Sequence, residues 1–450
     1  MGERYLIYGL AVAGAAVVRA LGRRGIDVVV VDDAVTEARA KLADSLDVEL
    51  VVAPSPDELD VMVRASDVVV PSPGIPESHP VFAAAQRAAR PLRSEIEIAY
   101  GFEQERAGGP RPVLAVTGTD GKTSTTLWAV EMLRAGGVST VAAGNTEVPL
   151  IEAIDHDDLE AFVVECTNHR LATAERFRGD VAAWINFAPD HLDWHRSVAT
   201  YEAAKARIFT QQRPTDVAIG AVFDPTVMRH LAAALGRTRT FGLHDADYDV
   251  SPGGELRGPQ GALGAVSTLR RALPHDVTNG LAAAALVLES GLAGTEAVTA
   301  GLASFPGVPH RIELVGDDGA VRWYNDSKAT TPHAASAAIR AFARVVLIAG
   351  GQNKGLDLAP MADERQRIRA VVAIGRDAAD VRAAFAGAAL ITAESMADAV
   401  DKAGAAARPG DVVLLSPGCA SFDWYPDGGY PARGDDFRRL VQRRLSETTK

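Results

Sequence analysis

The stretch VLAVTGTDGKTSTT, residues 113–126, decides how this chain is read. Val113 to Val116 is a short apolar run with the look of a buried strand. Gly118 and Gly121 permit a tight turn in which backbone N–H groups converge. From Thr123 the sequence TSTTLWAVEMLRAGG predicts a helix, with Leu127, Val130, Met132 and Leu133 apolar and Gly136 as its stop. Strand, glycine turn and helix N-terminus make an anion site, because unpaired N–H groups and the helix dipole point at the ligand. Lys122 adds a point charge for a β- or γ-phosphate, and Thr123 a hydroxyl for Mg²⁺. The full phosphate-loop pattern G-x-x-x-x-G-K-[ST] lacks its first glycine, because Val116 stands there; G-x-x-G-K-T remains. The plain alternative is a glycine turn before an ordinary helix with an exposed lysine. The strand, the helix and the adjacent Lys-Thr favour phosphate. Asp120 is odd in such a turn, since an ionised carboxylate repels phosphate. It is expected to face Mg²⁺ or a lysine, or to be protonated.

The surrounding chain has 450 residues, enough for about three domains. It is 47% hydrophobic and 23% charged, as folded globular proteins are. A net charge of −12 argues against a general nucleic-acid binder or a membrane-surface protein. Two cysteines, Cys166 and Cys419, make neither a disulfide framework nor a metal-ligand spacing, which fits a reducing compartment. The N-terminus enters a strand without a basic region and long apolar run, and no apolar stretch is long enough to span a bilayer. A cytoplasmic protein is expected.

Three segments follow. The first opens with a strand at Tyr5–Tyr8, then G-L-A-V-A-G and a helix through Leu21, then a strand at residues 26–31 ending at Asp32-Asp33. This has the form of a dinucleotide-binding βαβ unit with Ala11 at the middle glycine position, and reads equally as nucleotide binding or plain helix–strand packing. Another strand ends in a tight loop at Ser72–Gly74. The hydrophilic EQERAGGPRP, residues 103–112, reads as a linker. The second segment carries the phosphate loop and further strands at residues 161–164 and 182–186. It ends near SFPGVPHR, residues 304–311. The third repeats strand–loop–helix logic at residues 344–351, 370–377 and 411–418, each apolar run closing in Gly or Pro, as parallel strands with ligand loops do.

Candidate chemical groups cluster after these strands. Glu165 ends AFVVE; Asn186, Asp190, His191 and Asp193 follow the next strand. Brought to one sheet edge near Thr123, such groups could hold Mg²⁺. His191 taken alone is more often a structural histidine; its place beside two aspartates favours function. Lys205, in ATYEAAKARIF, reads alone as a solvated helix lysine. Arg311, Asp326, Lys328, Thr330 and Lys354 lie close to predicted loops of the third segment, where scattered surface charge is the competing reading.

Taken in order, T-G-T-x-G-K-T, N-x-x-x-D-H-x-D, Y-x-x-A-K-x-R-I, P-H-R, N-D-S-K-A-T, G-G-x-x-K-G and L-L-S-P-x-x-A-S-x-D span residues 117–423. This series resembles the Mur ligases, and within them the glutamate-adding branch; S-P-G-I at 72–75 and H-P at 79–80 extend the resemblance to the first segment. The resemblance implies an α/β protein of three domains: a Rossmann-like UDP-binding domain (1–108), a central P-loop-type ATPase domain (109–306) and a Rossmann-like glutamate-binding domain (307–450). It implies an ATP-dependent amide ligase that activates the alanyl carboxylate of UDP-N-acetylmuramoyl-L-alanine as an acyl phosphate and joins it to glutamate. Carried over by position, Gly118, Thr119, Asp120, Gly121, Lys122, Thr123 and Ser124 would cradle the ATP phosphates, with Asn279, Arg311 and Asp326 as further nucleotide contacts. Thr123, Glu165, His191 and Lys205 would hold Mg²⁺, two ions being expected; Lys205 matches a lysine that is carbamylated in the family, a change that turns a cation into a metal-binding anion. Ser72, Gly74, Asn145 and Thr167 would meet the muramoyl substrate; Lys328, Thr330, Lys354, Ser421 and Tyr430 would grip glutamate. Small-molecule substrates, no nucleic acid, no membrane and a monomer complete the expectation.

The sequence departs from the family pattern at several places. Asp120 replaces an asparagine. E-C-T-N-H-R-L at 165–171 stands for E-L-S-S-F-Q-L, and G-N-T-E at 144–147 for G-N-I-G. His275-Asp276 stands for His-Asn, and two extra residues follow Asp423. D-Glutamate is the expected amino acid; L-glutamate, another substrate, or a non-catalytic nucleotide binder are the alternatives. A dehydrogenase leaves the Lys-Thr loop unexplained.

Overall fold

The computed structural model describes residues 3–34, 36–146, 148–353 and 355–448. The chain divides into two compact units, Met1–Pro306 and Gly307–Lys450.

The described residues of the first unit form three sheets. Strands β1 (Arg4–Tyr8), β2 (Asp27–Asp32), β3 (Leu50–Val52) and β4 (Val68–Pro71) form a parallel sheet in the order β3-β2-β1-β4. The helix Val12–Arg23 follows β1 closely: a Cβ on Gly14 would come 2.1 Å from the Gly9 carbonyl oxygen. That is the work of the last glycine of a dinucleotide-type turn. Asp32, where a ribose acid would stand, is instead a structural group. It accepts from Leu10 N at 2.9 Å and pairs with Arg39 at 2.6 Å.

Strands β5 (Val113–Thr117), β6 (Thr140–Gly144), β7 (Ala161–Glu165), β8 (Val181–Trp184), β9 (Val217–Ala221) and β10 (Arg237–Phe241) form a six-stranded parallel sheet, β10-β9-β8-β5-β7-β6. Near-continuous apolar residues leave β5, β7, β8 and β9 buried on both faces, while the edge strand β10, RTRTF, starts exposed. Strand β5 sits where the order reverses, so its following loop opens into the crevice where ligands bind. The pairings Val116↔Glu165 and Thr117↔Trp184 bring the carboxyl ends of β7, β5 and β8 level. A small antiparallel sheet, β11 (Asp249–Val250), β12 (Glu255–Gly258) and β13 (Gly261–Ala265), carries short, glycine-rich strands that sequence periodicity did not flag.

The stretch 103–112 is pinned near both ends by a buried ion pair. The helix Glu95–Gln104 runs into them, and Glu103 is buried against Arg111. Arg111 donates to Glu103 Oε1 at 2.9 Å and Oε2 at 2.8 Å, and to the carbonyls of Ile154 and His156 at 2.7 and 2.6 Å. The charges look solvent-seeking in sequence but are buried because each finds its partner.

The described residues of the second unit form one sheet. Strands β14 (Glu313–Asp317), β15 (Arg322–Asn325), β16 (Val345–Gly350), β17 (Ile368–Ile374), β18 (Leu390–Thr392) and β19 (Val412–Leu415) lie in the order β14-β15-β19-β16-β17-β18, antiparallel only at the β14 edge. Its core, with Trp323, Ile348, Val372, Leu415 and Phe437, is its own.

Candidate active site

The phosphate loop leaves β5 at Thr117 and enters the helix Lys122–Ala135. Gly121 is the turning point, with φ +82°, and a Cβ there would meet Asn279 Oδ1 at 2.5 Å. Asn279, from the helix Pro274–Ser290, therefore lies directly against the turn. Among the described residues no side chain caps the Lys122 helix, so its first-turn N–H groups are what the loop offers to an anion. Asn186 shapes the loop: its Oδ1 accepts from Thr119 N and Asp120 N, both at 2.9 Å, and its Nδ2 donates to the Asp120 carbonyl at 2.9 Å. Thr119 Oγ1 lies 3.0 Å from the Tyr201 hydroxyl. The Lys122 ammonium curls over the turn onto the carbonyls of Gly118 and Thr119, at 3.0 and 2.8 Å. Thr123 and Ser124 are half-buried and Asp120 is exposed.

Lys205 is no solvated lysine. It is completely buried, and its Nζ donates to the Gly118 carbonyl at 2.5 Å and stands 4.8 Å from the Tyr201 ring centroid. Burial, with Lys122 nearby, pushes its ammonium well below the usual lysine range. The periodicity of ATYEAAKARIF could not reveal this, because the burial comes from packing against the loop after β5.

Glu165 ends β7 under the same loop, 1% exposed. Its Oε1 accepts from Asn145 Nδ2 at 3.0 Å; its Oε2 is buried without a partner among the described residues. Asn145 in turn accepts from Arg170 at 2.8 Å, and Arg170 pairs with buried Glu95 at 3.3 Å. Thr167 starts the short helix Asn168–Leu171, its Oγ1 accepting from Arg170 N at 3.4 Å. His191 has φ +52° and its ring centroid lies 4.8 Å from that of His169. Burial holds both imidazoles below the usual histidine range, His169 to about 3. His195, absent from the sequence candidates, lies 3.0 Å from Glu77 Oε1 and 2.9 Å from Asn168 Nδ2. It ties the loop after Ser72 to the loop after β8. Ser72 itself donates to the Gly9 carbonyl at 2.6 Å, and Gly74 is exposed.

In the second unit the candidates gather at the carboxyl ends of β15 and β19, which the pair Asn325↔Leu415 brings level. Asp326 accepts from Ser416 Oγ at 2.7 Å and from Ile312 N at 3.1 Å, beside Arg311. Lys328 N donates to the His310 carbonyl at 3.0 Å and Thr330 N to the Lys328 carbonyl at 2.9 Å. Ser421 is buried and caps the turn to Tyr425 through its carbonyl. The Tyr430 carbonyl accepts from Ser327 Oγ at 2.8 Å. Lys354, like Glu147, lies outside the described residues. Arg433, which sequence reasoning missed, is 1% exposed and spends its donors on Ser327 Oγ and on the carbonyls of Ser327, Cys419 and Ala420. Burial lowers its guanidinium to about 10.

Residues 3–93 match the Mur ligase MurD-like N-terminal domain, 116–287 the Mur ligase middle domain, and 310–419 the Mur ligase glutamate ligase domain. UDP-N-acetylmuramoylalanine–D-glutamate ligase of Frankia casuarinae is 41% identical, covering 98% of this chain and 94% of that protein. The protein of the same name from Myxococcus xanthus is 38% identical, covering 98% of both. The chain belongs to the Mur ligase family. A crystal structure of MurF ligase from Thermotoga maritima in complex with ADP shares the fold, with a TM-score of 0.59 at 15% identity, over 99% of this chain and 96% of that one.

As a Mur ligase the chain uses ATP. The donor set also suits Mg²⁺. Among the described residues no three His, Cys, Asp or Glu side chains gather as a cage. Mg²⁺ does not ask for one; it keeps waters and takes one or two carboxylates plus phosphate oxygens. A buried carboxylate oxygen without a partner, Glu165 Oε2, is the vacant oxygen ligand such a site needs. Among the described residues no helix is long and apolar enough to cross a membrane.

Proposed function

We propose that this Mur ligase joins D-glutamate to UDP-N-acetylmuramoyl-L-alanine with hydrolysis of ATP, a step of peptidoglycan precursor synthesis. The level ends of β5, β7 and β8, which bring the phosphate turn and Glu165 to one edge, carry the reading. An alanyl carboxylate oxygen attacks the γ-phosphorus, and ADP leaves. The glutamate amine then attacks the acyl carbon of the acyl phosphate, giving a tetrahedral intermediate. Its collapse expels inorganic phosphate, forms the amide and releases the amine proton. Catalysis in such a site is positioning and charge neutralisation.

Lys122 and the first-turn N–H groups hold the transferred phosphate, with Thr119, Gly121, Ser124 and Asn279 shaping the cradle. Thr123, Glu165 and His191 are the proposed Mg²⁺ groups, and the ion would offset charge on the phosphate oxygens. The neutral imidazole of His191 leaves a ring nitrogen able to act as ligand. Burial, with Lys122 nearby, lowers the Lys205 ammonium well below the usual lysine range, which favours the amine form that adds CO₂. Addition gives an anionic carbamate and a released proton, and the carbamate would attract the Lys122 ammonium. Ser72, Gly74, Asn145 and Thr167 are the proposed muramoyl contacts. Arg311 and Asp326 are assigned to nucleotide, and Lys328, Thr330, Lys354, Ser421 and Tyr430 to glutamate. Segment boundaries at 108/109 and 306/307, a monomeric state and a cytoplasmic location belong to the same proposal.

The test is phosphate release with UDP-N-acetylmuramoyl-L-alanine, ATP and Mg²⁺, adding D- or L-glutamate in parallel. Release and amide product with D-glutamate alone is expected. Product with L-glutamate alone would keep the mechanism and reverse the pocket's handedness. No product with either, from folded protein that binds ATP, would overturn the assignment.

A further inference from the structure

The altered stretch 165–171 puts an arginine where the family pattern has glutamine, and the fold places that arginine between Glu95 and Asn145. Arg170 is buried, with Nε 3.3 Å from Glu95 Oε2 and its terminal nitrogen 2.8 Å from Asn145 Oδ1. Glu95 is anchored in turn, accepting from Ile151 N at 2.7 Å. Asn145 Nδ2 donates to Glu165 Oε1 at 3.0 Å, and Asn145 N donates to the Glu165 carbonyl at 3.0 Å. A guanidinium only donates and an ionised carboxylate only accepts. The amide between them therefore has one permitted rotation, oxygen toward Arg170 and nitrogen toward Glu165. Asn145 itself is exposed, at the end of this buried row. A glutamine at 170 both donates and accepts. It would satisfy either rotation of Asn145, one of which aims the amide oxygen at the Glu165 carboxylate.

We propose that Arg170 is a positioning residue: it locks the Asn145 carboxamide so that one N–H holds Glu165 and the other is presented to an acceptor oxygen of the muramoyl substrate. The inference rests on the assignment of Asn145 to that substrate. Glu165 Oε2 stays uncommitted in the same arrangement.

A double-mutant cycle tests it, with Arg170→Gln, Asn145→Ala and the pair, read as KM for UDP-N-acetylmuramoyl-L-alanine, KM for ATP, kcat and melting temperature. Losing one well-aimed hydrogen bond predicts that Arg170→Gln raises the muramoyl KM about tenfold and leaves the ATP KM within about twofold. Arg170→Lys, which still only donates, should recover most of the loss. In the Asn145→Ala background Arg170→Gln should add less than about twofold, because there is no amide left to orient. Glu95→Gln/Arg170→Gln removes both buried charges, so it separates orientation from folding; it should show the same raised muramoyl KM. An Arg170→Gln effect that is undiminished without Asn145, or that appears only in melting temperature, would overturn the proposal. So would a normal muramoyl KM in Arg170→Gln while Asn145→Ala is impaired. An unimpaired Asn145→Ala would bring down the substrate assignment of Asn145 and this inference with it.

Discussion

Lys205 shows what one buried amine costs and does. It sits without exposure against the Gly118 carbonyl, and burial pushes its ammonium well below the usual lysine range. Its unfolded counterpart titrates near about 10.4. Between the depressed folded value and that one the unfolded chain binds the extra proton. Stability contributed by this residue therefore rises with pH across that window, and at neutral pH the group is a burden. Lys205→Met should accordingly be at least as stable as the parent at pH 7 and lose part of the rise in stability toward pH 10, measured by denaturant unfolding. The same variant should lose at least about a hundredfold in turnover, as removal of a group stabilising transferred charge does. Partial rescue of Lys205→Ala by a small carboxylic acid would place an anion at this position in the working enzyme. Normal turnover by either variant would remove Lys205 from the mechanism.

Elements are held by charges that composition alone misplaces. Arg111 and Glu103 are 7% and 3% exposed, and Arg111 also caps the carbonyls of Ile154 and His156. Arg111→Met strands a buried carboxylate and should cost about 3–5 kcal/mol in unfolding of residues 1–306. Glu103→Gln/Arg111→Met should recover part of that loss. A cost under about 1 kcal/mol would mean that the pair is solvated. In the second unit Arg433 joins the loop after β15 to the loop after β19 through the Ser327 hydroxyl and the carbonyls of Ser327, Cys419 and Ala420. Arg433→Lys keeps the charge but has fewer donors. With carbonyls left unsatisfied at about 1–3 kcal/mol each, residues 307–450 should lose about 2–4 kcal/mol. The strand at 113–117, the glycine turn and the following helix were legible because apolar run, glycine and periodicity are local signals. The burial of Arg111, Lys205 and Arg433 was not, because each depends on carbonyls distant in sequence. The sheet at 249–265 escaped notice because its strands are short and poor in β-branched residues.

At the scale of the whole chain, Met1–Pro306 and Gly307–Lys450 each have a core of their own. Calorimetry should then resolve two transitions, since cooperativity follows the contiguous core. The element variants assign them: Arg111→Met lowers the transition of the first unit, Arg433→Lys that of the second. Ligand binding to a folded unit raises its stability by about 2.7 kcal/mol at a hundred times Kd. The phosphate turn, Lys122 and Asn279 all lie in the first unit, so saturating Mg²⁺-ATP should raise the transition that Arg111→Met lowers. Lys122→Ala should abolish most of this shift, because its ammonium curls over the phosphate turn. A nucleotide shift confined to the transition that Arg433→Lys lowers would place the phosphate site outside residues 1–306. An undiminished shift in Lys122→Ala would leave the backbone N–H groups of the turn as the anion site, with the lysine reserved for the transferred phosphate.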